Sequence, residues 1–199
     1  MPKLTKLTYR GHKITWSACT NCELCRVRKN VVLFRGAGKE YEESGKSRLP
    51  CDVLMIGEAP GESEDSLRRP FIGPAGKLLD SIIYQASQLS NVWPVIGMTN
   101  LVACIPLEEG EKLSEPLPEH IGACSKRLNE ILKLANPDVI IRVGKLATEW
   151  VPKITNIEVP FTDIVHPAAL LRMEPAQRVM NQRKCVVELA DAFEKLIPF

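Results

Sequence analysis

The chain has 199 residues, 45% hydrophobic and 25% charged, which is ordinary for a soluble globular protein and enough to bury one good core. No apolar run approaches the ~20 residues that a membrane helix needs, and no signal-peptide core is visible, so the sequence predicts a cytoplasmic (in a nucleated cell, also nuclear) protein with no membrane role. The net charge of +2 is unevenly spread: residues 1–48 hold 11 Lys/Arg against 4 Asp/Glu and the remainder 15 against 20, a basic segment suited to a polyanion in front of a mildly acidic body.

In the basic segment 1–48, Cys19-Thr-Asn-Cys22 is followed by Cys25, by the apolar run Val31–Phe34, which predicts a strand, and by the polar run Lys39–Arg48, which predicts a mobile loop. The seven cysteines are an odd number and follow no secretory signal, so metal or redox chemistry is favoured over disulfides. Zinc would favour a second tight pair; one C-x2-C with Cys104 and Cys124 dispersed far downstream suits a 4Fe–4S cluster held by four thiolates. Cys25 extends the pair to C-x2-C-x2-C and rivals Cys22 as a ligand. Cys51 and Cys185 read as small core residues.

Val53–Ile56 is a continuous apolar run of the kind that forms a strand buried on both faces. Gly57, Pro60 and Gly61 end it and let backbone approach a ligand. The carboxylates Glu58, Glu64 and Asp65 follow, then Arg68 and Arg69, and Pro70-Phe71-Ile72-Gly73 sets an aromatic ring on a loop. Backbone N–H groups around Gly61, Gly73 and Gly76, at the start of the next helix, suit phosphates. That helix, from about 76 to 89, carries Leu78, Leu79, Ile82, Ile83, Ala86 and Leu89 on one face.

A strand over Val95–Val102 and a proline-bearing loop over 105–118 come next. Helix 119–135 turns Ile121, Cys124, Leu128, Ile131, Leu132 and Ala135 inward, so Cys124 also suits a plain core position. Strands at 138–144 and 163–166 follow, then a helix from Pro175 with Val179, Val186, Leu189, Ala190, Phe193 and Leu196 inward. Alternating strands and helices predict an α/β fold, a three-layer αβα domain over 1–199 with a central, mostly parallel four-stranded sheet. His166-Pro-Ala-Ala-Leu-Leu-Arg172 begins at a strand's C-terminal end, on the sheet edge shared with Glu58 and Asn100, where open α/β sheets place their sites.

Read together, GEAPG at 57–61, Glu64-Asp65 and PFIGPAGKLL at 70–79 resemble the first active-site motif of the iron–sulfur (family 4) uracil-DNA glycosylases. CTNCELCRVRKNVVLFRGAG at 19–38 is similar to that family's N-terminal cluster segment. NLVACIP at 100–106 and Glu119–Cys124 are similar to the segment supplying its third and fourth ligands. His166–Arg172 resembles the second motif, with Ala168 where the family usually has serine. The likeness runs from Cys19 to about Arg172.

The resemblance implies an enzyme that hydrolyses uracil from single- or double-stranded DNA as a monomer and leaves an abasic site. No lysine stands in a motif position for lyase chemistry. It implies a structural 4Fe–4S cluster on Cys19, Cys22, Cys104 and Cys124. The base must be flipped out and read on its edge. Ala59, Gly61, Glu64, Phe71 and Asn100 then line its pocket, Phe71 stacking on the ring and the Asn100 amide donating and accepting against uracil's edge. His166 would stabilise the departing anion and Glu58 would position water and support the cationic sugar. Leu170 and Leu171 would wedge the stack and Arg172 grip phosphate, although two leucines there equally suit loop packing, and Asp65 equally reads as a solvated acid. A non-catalytic DNA-binding relative, or a glycosylase with a different or broader lesion range, shares these features.

Overall fold

A computed structural model describes residues 6–9, 12–16, 18–37, 51–108 and 112–196; the run Lys39–Arg48 expected to be a mobile loop lies outside them. Strands β1 (Lys6–Tyr9) and β2 (His12–Thr15) pair antiparallel, and a single turn of 3-10 helix spans Glu23–Arg26. The central sheet is built from β3 (Arg35–Ala37), β4 (Val53–Gly57), β5 (Ile96–Asn100), β8 (Val139–Val143) and β9 (Phe161–Ile164), in the order β3-β5-β4-β8-β9. Between them, β6 (Leu107–Glu108) and β7 (Lys112–Leu113) pair with each other. β4, β5, β8 and β9 run parallel, whereas β3 lies antiparallel on the edge of β5.

The period of two along the strands divides the core. Val53 and Met55 face one side, with Met98, Val139 and Ile141, under helices α2 (Pro74–Ser90) and α6 (Pro175–Glu194). Leu54 and Ile56 face the other, with Ile140, under α3 (Pro118–Ala135) and α4 (Lys145–Ile154). Three layers result. Two short helices, α1 (Glu62–Leu67) and α5 (Pro167–Leu171), occupy the loops at the sheet's C-terminal edge. No helix among the described residues is long and apolar enough to cross a membrane.

The sheet therefore has five strands where four were expected. The fifth is displaced from the apolar run that announced it. Val31, Leu33 and Phe34 are buried in the core with Ile121 and Leu128, and Val32 N–H donates to the Ala103 carbonyl at 2.7 Å, but the ladder with β5 forms only from Arg35 onward. Arg35 can occupy a buried strand because Asp80 neutralises it. Two residues expected inward are exposed: Leu89 at 60% and Val179 at 51%. Burial on α2 ends at Ser87 and on α6 begins only at Cys185, so both side chains sit on turns beyond the packed stretch.

Candidate active site

The C-terminal ends of the four parallel strands converge on one cleft of about 940 Å³. Gly57, at the tip of β4, is in register with Asn100, at the tip of β5. Glu58, Ala59, Gly61, Glu64, Phe71, Asn100, His166 and Arg172 all line the cleft, so the fold unites residues that are more than a hundred positions apart.

Phe71 is held in place from several sides. Its backbone is left-handed, φ +55°, a region that bulky side chains seldom adopt without reinforcement. The buried Arg35 donates through Nη1 to the Phe71 carbonyl and through Nη2 to both Asp80 oxygens, at 2.9 and 2.7 Å. Glu64 Oε1 accepts from the Ile72 and Gly73 N–H groups at 2.9 and 2.8 Å, fixing the next two residues. That bond occupies the Gly73 N–H expected to face phosphate. Gly76 is required behind the loop, because a Cβ there would overlap the Phe71 backbone. In front, a Cβ on Gly57 would collide with the Phe71 ring and lie 2.6 Å from Asn100 Oδ1. The ring and the amide thus stand side by side over bare backbone.

His166 is the N-cap of α5, and its Nδ1 accepts the Ala168 N–H at 3.2 Å. With Nδ1 an acceptor, the proton of the neutral ring resides on Nε2. Burial first, then the charge of Arg172, pushes the imidazole pKa down to about 4, so the ring is neutral at neutral pH. Its back rests on Gly144, at φ +92°, where a Cβ would come within 2.8 Å of His166 Cβ. The Phe71 and His166 rings are 6.5 Å apart, tilted by 34°. At Ala168 it is the backbone N–H that holds the histidine ring.

Glu58 is half-buried. Burial, then Glu115, pushes its carboxyl above the ordinary range, and Arg172 opposes them. Asp65, with the plain reading of a solvated acid, is instead 3% exposed and accepts from the Lys29 and Asn30 N–H groups, tying α1 to the basic segment. Leu170 is a second correction. It is fully buried with Leu79 and Phe193, which removes it from any DNA-facing wedge, whereas Leu171 is 37% exposed and Arg172 is exposed at the cleft.

A separate cavity is lined by Cys19, Cys22, Cys25, Cys104 and Cys124, with Trp16 and Arg127. Burial pushes the Cys104 thiol up to about 12, opposed by Arg28, and also raises Cys22. Arg28 donates to the Cys19 carbonyl at 2.6 Å. Arg127, 1% exposed, donates to Thr99 Oγ1 at 3.1 Å, to the Asn100 carbonyl and to the Leu101 carbonyl at 2.9 Å. Sequence reasoning passed over Arg127, although it falls on the inward face of its helix, three residues after Cys124 and four before Ile131. Arg35 gave no signal of its own, because its partner Asp80 is remote in sequence.

The sequence model of the Uracil DNA glycosylase superfamily matches residues 45–190 of this chain. The chain is similar to a type-4 uracil-DNA glycosylase of Saccharolobus solfataricus, with 30% identity covering 82% of this chain and 77% of that protein. Similarity extends to the type-4 uracil-DNA glycosylase of Pyrobaculum aerophilum, 29% identical over 90% of this chain and 92% of the other. The one from Thermotoga maritima is 33% identical over 66% and 59%, respectively.

Proposed function

The chain belongs to the type-4 uracil-DNA glycosylases of the uracil-DNA glycosylase superfamily, and from that premise we propose how it excises uracil, by hydrolysis of the N-glycosidic bond to leave an abasic site. The observation that carries the mechanism is the Ala168 N–H bond to His166 Nδ1, which turns a neutral Nε2–H donor into the cleft shared with Phe71, Asn100 and Glu58. The flipped base stacks on Phe71, and the Asn100 side chain donates to a carbonyl and accepts from the adjacent ring N–H. Cytosine presents those two positions exchanged and is refused.

As C1′–N1 breaks, its electron pair goes to the uracil ring and charge collects on the carbonyl oxygen that His166 Nε2–H faces. A neutral donor suffices for this and loses no proton. The sugar gains oxocarbenium character, which the Glu58 carboxylate supports; water adds to C1′ and passes its proton to Glu58. Leu171 fills the vacated stack and Arg172 holds phosphate. The enzyme acts as a monomer on single- or double-stranded DNA and is monofunctional: water, not Lys145 or Lys184 of the same cleft, is the nucleophile.

In the same reading Cys19, Cys22, Cys104 and Cys124 hold a 4Fe–4S cluster and Cys25 is spare. Among the described residues no three His, Cys, Asp or Glu side chains gather as the ligands of one metal ion do. Sulfurs bound to one zinc at about 2.3 Å lie within about 4.6 Å of each other. A 4Fe–4S cluster takes its four thiolates on separate irons and spreads them wider. The buried Nε atoms of Arg28 and Arg127, both without partners, supply positive charge around the thiolates. Bound there, the cluster supplies a staple joining three distant segments; hydrolysis consumes no electrons.

The test is single-turnover cleavage of an oligonucleotide containing one uracil, followed by alkali, with His166→Ala and Glu58→Gln alongside. Loss of the His166 donor costs about 3 kcal/mol of barrier, or on the order of 100-fold in rate. Wild-type rates in both variants would sink the mechanism. Intact DNA binding without any cleavage by the wild type would identify a non-catalytic relative.

A further inference from the structure

Arg127 is the largest fully buried side chain of the described residues and a permanent cation. Among those residues no carboxylate pairs with it. Its terminal nitrogens are committed to neutral acceptors on one segment, the Thr99 hydroxyl and the carbonyls of Asn100 and Leu101. Its Nε has no partner, and the side chain lines the cysteine cavity, one turn along the helix from Cys124. A buried charge without a counter-charge is costly enough that a fold rarely keeps one. Among the described residues that line this cavity, the groups that can become anions are cysteine thiols.

The same segment is tied to the other wall of the cleft. Leu101 N–H donates to the Gly57 carbonyl at 2.9 Å and Val102 N–H to the Glu58 carbonyl at 3.2 Å. Anything that shifts residues 99–102 therefore moves the Asn100 amide and the Glu58 backbone together.

We infer that Arg127 is a positioning residue that couples metal occupancy of the cysteine cavity to the base-reading edge of the cleft. Four thiolates held by metal balance its charge and let the guanidinium clamp residues 99–101. Without the metal the anionic centre that Arg127 faces across the cavity is gone, and the guanidinium would draw water or swing out, releasing Asn100. The cysteines thus do more than staple the fold: they switch the pocket between a reading and a slack state. This inference rests on the cluster and on the role of Asn100 proposed above.

The experiment is amide hydrogen exchange on three proteins, the iron-loaded wild type, the wild type stripped of iron by oxidation and chelation, and iron-loaded Arg127→Met, with Arg127→Lys as the conservative variant. Each is also assayed for iron content, for DNA binding and for single-turnover cleavage. Exchange at Leu101 and Val102 should rise at least tenfold in the stripped wild type and in Arg127→Met, while Ile140 and Ile141 in β8 keep their protection. Cleavage should fall at least tenfold with affinity for abasic DNA within threefold, and Arg127→Lys should recover part of the rate. Unchanged exchange at Leu101 and Val102 in the stripped wild type overturns the inference, and this measurement stands even if Arg127→Met does not fold. A wild type that carries no iron, or an Asn100→Ala variant with full activity, would instead overturn the reading on which it rests.

Discussion

Gly57→Ala adds one methyl at the floor of the proposed base pocket. That carbon would lie 2.6 Å from Asn100 Oδ1 and overlap the tip of the Phe71 ring, against a normal carbon contact of about 3.5–4.0 Å. The ring has no room to withdraw, since Arg35 fixes the Phe71 carbonyl, Glu64 fixes the next two amides, and Gly76 closes the space behind. Relief comes by pushing the ring tip and the Asn100 amide forward, into the volume that the base must enter. Overpacking of this kind costs about 1–3 kcal/mol. In the free protein most of it is relieved; a bound base reimposes it, so the cost appears as a loss of kcat/KM of about 5–150-fold. Steady-state kinetics on a uracil oligonucleotide measure it, with a thermal melt to confirm folding and binding of abasic DNA as the control. Wild-type kcat/KM in a folded Gly57→Ala protein would refute the geometry. So would an equal loss of affinity for abasic DNA, where there is no base to collide.

Other outcomes follow from the same geometry. Ionised Glu58 is the working form and its pKa is raised, so the acid limb of the rate lies above the ordinary carboxylate range; Glu115→Gln removes a like charge and moves that limb to lower pH, more so at low salt. A further loss sets in near pH 4, where His166 protonates and its Nδ1 proton opposes the Ala168 N–H. Cys104→Ala abolishes bound iron and visible absorption, whereas Cys25→Ala keeps both; iron analysis of the pair decides between Cys22 and Cys25 as ligand if Cys22→Ala is run beside them. Leu170→Ala costs about 2–5 kcal/mol of stability by denaturant unfolding, while Leu171→Ala leaves stability nearly unchanged and lowers cleavage of double-stranded more than of single-stranded uracil. Gly122→Ala, at an exposed helix position with nothing within 4 Å of the new methyl, raises stability by about 0.5–1 kcal/mol in the same assay.

What was legible in the sequence depended on whether a residue's reason for being there was local. Val53–Ile56 and Val139–Val143 read as strands because both faces are buried and the apolar run is continuous. Helices α2 and α3 read from their stripes. Helix α1 could not be read: Glu-Ser-Glu-Asp-Ser-Leu has no apolar period, and the turn exists because Asp65 and Glu64 each satisfy amides that are distant or lie beyond the helix. Strand β3 was misplaced for the related reason that Arg35 and Gly36 have no strand signal until Asp80 and β5 are present. In the cleft, motif likeness found Glu58, Phe71, Asn100 and His166. It did not find the residues that aim them: Arg35, Arg127 and the Ala168 N–H act through partners that no spacing announces.

The cavity holding Cys19, Cys22, Cys104 and Cys124 takes its walls from segments made at very different times. A chain that emerges N-terminus first at roughly 5–20 residues per second leaves the first two cysteines waiting several seconds for α3 to appear. The antiparallel strand β3 waits as well, since β5 is its one partner in the sheet and follows some sixty residues later. In that interval Val31–Phe34, destined for full burial, is an exposed apolar run beside free thiols. Assembly is therefore a step in its own right: with the proposed cluster, iron supply and handling of the nascent chain would bear on how much of it reaches the state in which the cleft is whole.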